Sequence, residues 1–90
     1  MAGSVYFVTA VTGAEKVRER LNGLIPEDDR FELAADRWMV VYEGVAQDLA
    51  ENVGVRGGEN VIGNGLVLAV TTYSGRAPSG LWDWLRKKGL

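Results

Sequence analysis

Hydrophobic and polar positions along the chain switch between a period of two and a period near 3.6. Val5-Tyr6-Phe7-Val8-Thr9-Ala10-Val11 is β-branched and aromatic, ends at Thr12-Gly13, and reads as a strand. Its two faces, Val5/Phe7/Thr9/Val11 and Tyr6/Val8/Ala10, are both largely apolar, the pattern of a central strand covered on both sides. Residues 14–25 then turn helical, with Ala14, Val17, Leu21, Leu24 and Ile25 on one face and Glu15, Lys16, Arg18, Glu19, Arg20 and Asn22 on the other. Thr12 is placed to cap this helix and Pro26 to stop it, and Glu27-Asp28-Asp29 follow in a loop.

Phe31-Glu32-Leu33-Ala34-Ala35 alternates and Trp38-Met39-Val40-Val41-Tyr42 follows almost at once, so Ala35-Asp36-Arg37 must turn a hairpin. Trp38 and Tyr42 share a strand face and are expected in the core. Val45, Leu49 and Val53, spaced by four, predict a second helix, with Gly54 as its left-handed terminator. The glycines at 57, 58, 63 and 65 mark the next segment as linker. Leu66 to Tyr73, apolar on both faces, predicts an inner strand, and residues 79–88 predict a C-terminal helix.

The order strand, helix, strand, strand, helix, strand is that of a ferredoxin-like βαββαβ domain spanning residues 1–90, α+β in class. Right-handed crossovers place two helices on one face of a four-stranded antiparallel sheet. The opposite face needs a cover, either the extra C-terminal helix or a second copy of the chain packed sheet to sheet, and a homodimer is expected.

Composition narrows the chemistry. The 90 residues, 47% hydrophobic, suffice for one domain. With no cysteine and no histidine, disulfides, thiolate or imidazole metal sites and His-dependent nucleophiles are excluded. Carboxylates, Lys, Arg and Tyr remain, and no arrangement of them carries a catalytic signature, so the expectation is a protein that is not an enzyme and uses no cofactor. Glu27-Asp28-Asp29 lack the spacing of a calcium loop, and no metal is assigned. Twelve acidic against ten basic side chains, net −2, disfavour nucleic acid. Met1-Ala2-Gly3-Ser4 has no basic leader and no apolar run reaches membrane-spanning length, so a soluble cytoplasmic protein is expected.

Recognition chemistry concentrates at the C-terminal end. Ser74-Gly75-Arg76-Ala77-Pro78-Ser79-Gly80 offers N–H groups, hydroxyls and a guanidinium ahead of a helix, making Arg76 and Ser79 candidate anion contacts, although the segment lacks the Gly-Lys-Ser/Thr ending of a phosphate loop. Ser79 reads first as the N-cap of that helix. Trp82 and Trp84 diverge by about 200° on a helix, so they cannot both face the core that Leu81 and Leu85 define. Leu81, Trp82, Trp84 and Tyr73 are therefore the candidate partner or dimer surface. Arg86-Lys87-Lys88 complement the helix dipole and, with Arg76, are the candidate nucleic-acid contacts.

Val5-Tyr6-Phe7-Val8, Arg37-Trp38-Met39-Val40-Val41, and Leu66-Val67-Leu68-Ala69-Val70 followed by Tyr73-Ser74-Gly75 and Pro78-x-x-Leu81-Trp82-Asp83-Trp84-Leu85 carry a resemblance to the small bacterial proteins labelled SinR-family. Those are similar in fold to the ferredoxin-like small subunit of the CRISPR adaptation complex, a distant family that dimerises through its sheets. Some of its members are metal-dependent nucleases with an Asp just after the first strand. The matching position here is Thr12, with no carboxylate before Glu15, and a hydroxyl does not replace the charge that holds Mg²⁺. The expected function is thus a non-catalytic protein interaction module, an accessory or inhibitory factor acting through a homodimer. The alternative is a degenerate relative of the adaptation nuclease that binds nucleic acid or keeps weak nuclease activity.

Overall fold

The computed structural model describes residues 3–59, 61–76 and 79–89, apart from the side chain of Ser79. Along the chain lie β1 (Ser4–Ala10), α1 (Ala14–Leu24), a 3-10 turn (Glu27–Asp29), β2 (Arg30–Ala34), β3 (Arg37–Tyr42), α2 (Ala46–Val53), β4 (Gly65–Ala69) and α3 (Ser79–Lys87). The strands form one antiparallel sheet in the order β2-β3-β1-β4, so the fold is mixed α+β. β1 is central, as its two apolar faces require. Its register sets Phe7 between Met39 and Leu68 on one face and Val8 between Trp38 and Val67 on the other.

The face carrying Val8 holds the main core. Tyr6, Val8, Ala10, Trp38 and Val40 meet Val17, Leu21 and Ile25 from the α1 side and Leu49 and Val53 of α2. Trp38 is buried, and its indole N–H is satisfied by the Glu32 carboxylate at 3.3 Å. Tyr42 is only half-buried at the edge of this core. Leu24, at the end of α1, stays partly exposed.

Thr12 does not cap α1. The residue at the cap is Gly13, in a left-handed conformation (φ 72°), and no side chain supplies a capping bond. A Cβ on Gly13 would meet the Ile62 carbonyl oxygen at 2.5 Å, so the close approach of residues 61–63 fixes this position as glycine. The Thr12 hydroxyl instead accepts the N–H of Asn64 at 2.9 Å. The segment before β4 is consequently tied down rather than a free linker: the Ile62 N–H donates to the Gly54 carbonyl at 2.8 Å and Ile62 packs on the core. Asn60 lies outside the described residues. Gly54 ends α2 with φ 90°, as its position predicts.

The opposite face is partly covered by α3. Val5 and, around it, Phe31, Leu33, Met39, Val41 and Val70 pack against Leu81 and Leu85, with Trp82 and Trp84 flanking. Of the two expected covers, the C-terminal helix thus lies over part of this face. β4 departs from its expectation in two ways. It ends at Ala69 instead of Tyr73; the Val70 N–H still reaches the Val5 carbonyl at 2.9 Å, and beyond it the chain leaves the sheet toward α3. It is also an edge strand, not an inner one, with Leu66 56% and Leu68 51% exposed. β1 likewise stops one residue early, leaving Val11 exposed.

Candidate binding groove

Leaving the sheet after Val70 sends the chain across the end of α3, and the ring of Tyr73 stacks on Trp82 with centroids 5.6 Å apart and planes 16° from parallel. The stack walls a groove of about 330 Å³ whose floor is Leu33 and Met39 of the sheet and Leu81 and Leu85 of α3. Two guanidinium groups border it. Arg37 reaches it because Arg37, Met39 and Val41 alternate onto the α3 face of β3; Arg76 comes from the loop. Arg37 pairs with its neighbour Asp36 at 3.4 Å, whereas Arg76 has no ion-pair partner among the described residues. None of the lining residues is a carboxylate. The groove therefore combines an apolar floor, an aromatic wall and positive charge on a chain whose net charge is −2. Among the described residues its lining hydroxyls are those of Ser74 and Tyr73, and what the arrangement offers a ligand is apolar contact and positive charge.

Of the residues singled out from the sequence, Tyr73, Arg76, Leu81 and Trp82 come together here. Trp84 diverges as the helical angle requires. Its indole N–H donates to the Asp28 carbonyl at 3.0 Å and its ring lies 6.1 Å from Phe31. The basic trio does not converge with Arg76. Arg86 bonds Asp83 one turn back, and Lys88 bonds Asp29 at 2.8 Å while its ammonium sits 5.8 Å from the Trp84 ring centre. Lys87 borders clefts on the far side of α3 from the Tyr73/Trp82 stack. The side chain of Ser79, and with it the expected cap and anion contact, lies outside the described residues, as do Ala77 and Pro78.

A larger cleft of about 680 Å³ runs between the C-terminal end of α3 and the end of α1, lined by Leu24, Pro26, Tyr42 and Glu43 among others. It is mixed in charge, and the Lys88–Asp29 pair that lines it is satisfied internally. On the helix face the Tyr42 hydroxyl donates to the Asp48 carboxylate and accepts from the Asn52 amide at 2.9 Å, tying β3 to α2. The bond to Asp48, helped by partial burial, raises the Tyr42 pKa above the usual tyrosine value, while Asn52 opposes the shift. Tyr6 completes this corner, donating to the Gly44 carbonyl at 2.5 Å.

Among the described residues no three acidic side chains are placed to hold a metal ion, and no helix is long and apolar enough to cross a membrane. No family model, curated protein or solved structure matches the chain.

Proposed function

We propose that this chain is a protein interaction module, homodimeric and acting by binding, whose groove takes a short acidic peptide segment that presents an apolar or aromatic side chain beside a carboxylate. The observation that carries the reading is the pairing of Arg76 and Arg37 with the Tyr73/Trp82 stack over an apolar floor that no carboxylate lines. The floor supplies apolar contact area and the guanidinium groups supply bidentate donors for a carboxylate. About 330 Å³ admits one or two side chains, at the small end for binding sites. A ferredoxin-like reading of the fold is supported by the strand order and by the packing of α1 and α2 together on one face.

The test is a titration of a peptide of sequence Asp-Phe-Glu-Leu-Glu, followed by tryptophan fluorescence and by the indole N–H signals in NMR, against its Asn/Gln counterpart and a single-stranded oligonucleotide. The acidic peptide is expected to move the Trp82 signal saturably while leaving the buried Trp38 unchanged. Arg76→Ala is expected to weaken binding about tenfold, as for loss of one charge-assisted hydrogen bond. Because Arg76 is exposed and has no ion-pair partner among the described residues, the same change should alter stability by less than about 0.5 kcal/mol. Equal binding of the amide peptide, or no effect of Arg76→Ala, would overturn the reading; steeply salt-dependent binding of the oligonucleotide alone would replace it with the nucleic-acid alternative.

A further inference from the structure

The two edges of the sheet are built differently. β2 is defended: it carries Arg30 and Glu32, its register is broken by an irregularity between Glu32 and Ala34, and Trp84 of α3 packs against Phe31. β4 carries none of these devices on the strand itself; its charged neighbour among the described residues is Arg56, which with Val55 borders a cleft beside Gly65, Leu66 and Val67 on the α2 side. The strand lies in a run without charge from Asn60 to Gly75, contains no proline, pairs regularly with β1 throughout, and exposes Leu66 and Leu68 on the part of the sheet that α3 leaves bare. The ladder fixes which backbone groups are left over. Val70 bonds Val5 and Val11 bonds Asn64, so by alternation Leu66 and Leu68 turn their N–H and C=O toward β1. Gly65, Val67 and Ala69 turn theirs outward to the open edge.

We infer that β4 pairs antiparallel with β4 of a second copy, about a two-fold axis at Val67, joining two four-stranded sheets into one. This rests on the homodimeric reading above and names its surface. The register is dictated by the chain. Outward groups must meet outward groups, so Val67 faces the partner's Val67 and Gly65 faces the partner's Ala69, each pair exchanging both hydrogen bonds. The same register sets Leu66 directly opposite the partner's Leu68, in the closer, non-hydrogen-bonded positions where cross-strand side chains touch. Each copy thereby covers the leucines that the other exposes. A two-fold interface brings like surfaces together, which on a chain of net charge −2 favours a segment with no charge, and this is the longest such segment in the sequence.

Light scattering coupled to size exclusion, over about a hundredfold range of concentration, tests the pairing. The wild-type chain should show twice the single-chain mass. The doubly substituted variants L66K/L68K and L66E/L68E should each run as monomers, because like charges then face each other across the axis. Mixing the two should restore a one-to-one dimer. Both leucines are exposed, and a retained indole N–H signal of the buried Trp38 in NMR checks that each variant folds. Independently of any variant, the outward Val67 and Ala69 amides of the wild type should exchange with solvent slowly when concentrated and rapidly when dilute. A wild-type monomer at every concentration would overturn both this pairing and the homodimer. A dimer that survives in both charged variants, with fast exchange at Val67, would overturn the pairing and leave the homodimer standing on another surface.

Discussion

The hydroxyl of Tyr42 is held between a carboxylate and an amide, donating to Asp48 and accepting from Asn52. Tyr42→Phe removes both bonds and should lower stability at neutral pH by about 1 kcal/mol, read from urea unfolding. The raised pKa adds a sign. The folded state holds the Tyr42 proton more tightly than the unfolded state, whose value is near 10.0, so the contribution is complete below pH 10.0 and is lost as pH rises through the folded value. The gap in stability between wild type and Tyr42→Phe should accordingly shrink in strongly alkaline solution; a gap that widened there would contradict the assignment. At this scale the sequence is partly legible. The divergence of Trp82 and Trp84 follows from helical geometry, but their partners, the ring of Tyr73 and the carbonyl of Asp28, depend on where irregular segments run. Arg37 is the groove residue that the sequence reading passes over. Its alternation with Met39 and Val41 was the available signal, and it says which face Arg37 takes without saying that a loop from residues 73–76 closes over it.

Among the elements, α3 is anchored by Leu81 and Leu85, the two buried side chains on its sheet-facing side, with Trp82 and Trp84 packed at their flanks. Leu85→Ala should cost about 2–5 kcal/mol and loosen the helix as a unit. The amides of residues 82–87 should then lose protection in hydrogen exchange before those of β1 and β3; uniform loss across the sheet would show that α3 is not a separate unit. α2 is more rigidly bounded. Gly54→Ala places a side chain in the left-handed region and drives its Cβ into Ile62, so it should cost more than about 1 kcal/mol in the same unfolding assay. Element types are legible throughout because each segment keeps one hydrophobic period. Boundaries fail where tertiary contact decides them: Thr12 is drawn to Asn64 instead of capping α1, and β4 ends at Ala69 although its apolar run continues.

For the whole molecule, one face of the sheet is closed by two helices and the other by a single helix set toward β2, β3 and one end of β1. That off-centre cover separates the two surfaces proposed for recognition, the groove bordered by Arg76 and the strand β4. The separation predicts that L66K/L68K binds the acidic peptide as the wild type does, and that Arg76→Ala dimerises as the wild type does. Titration and light scattering on both variants check this, and a change that crossed over would mean the surfaces are coupled. The need for a second cover can be read from the apolar faces of the middle strands. Its extent cannot, because a helix of nine residues spans only about 14 Å, and where it lands depends on the connection before it.

The irregularity in β2 has one more consequence. A sheet that adds a neighbour at one edge presents a new outer edge, and whether assembly continues depends on what that edge offers. In the pairing inferred here both β4 edges are consumed at the axis, and the outermost strands become the two copies of β2, broken in register and flanked by charge. Growth therefore stops at two chains instead of running on into a filament.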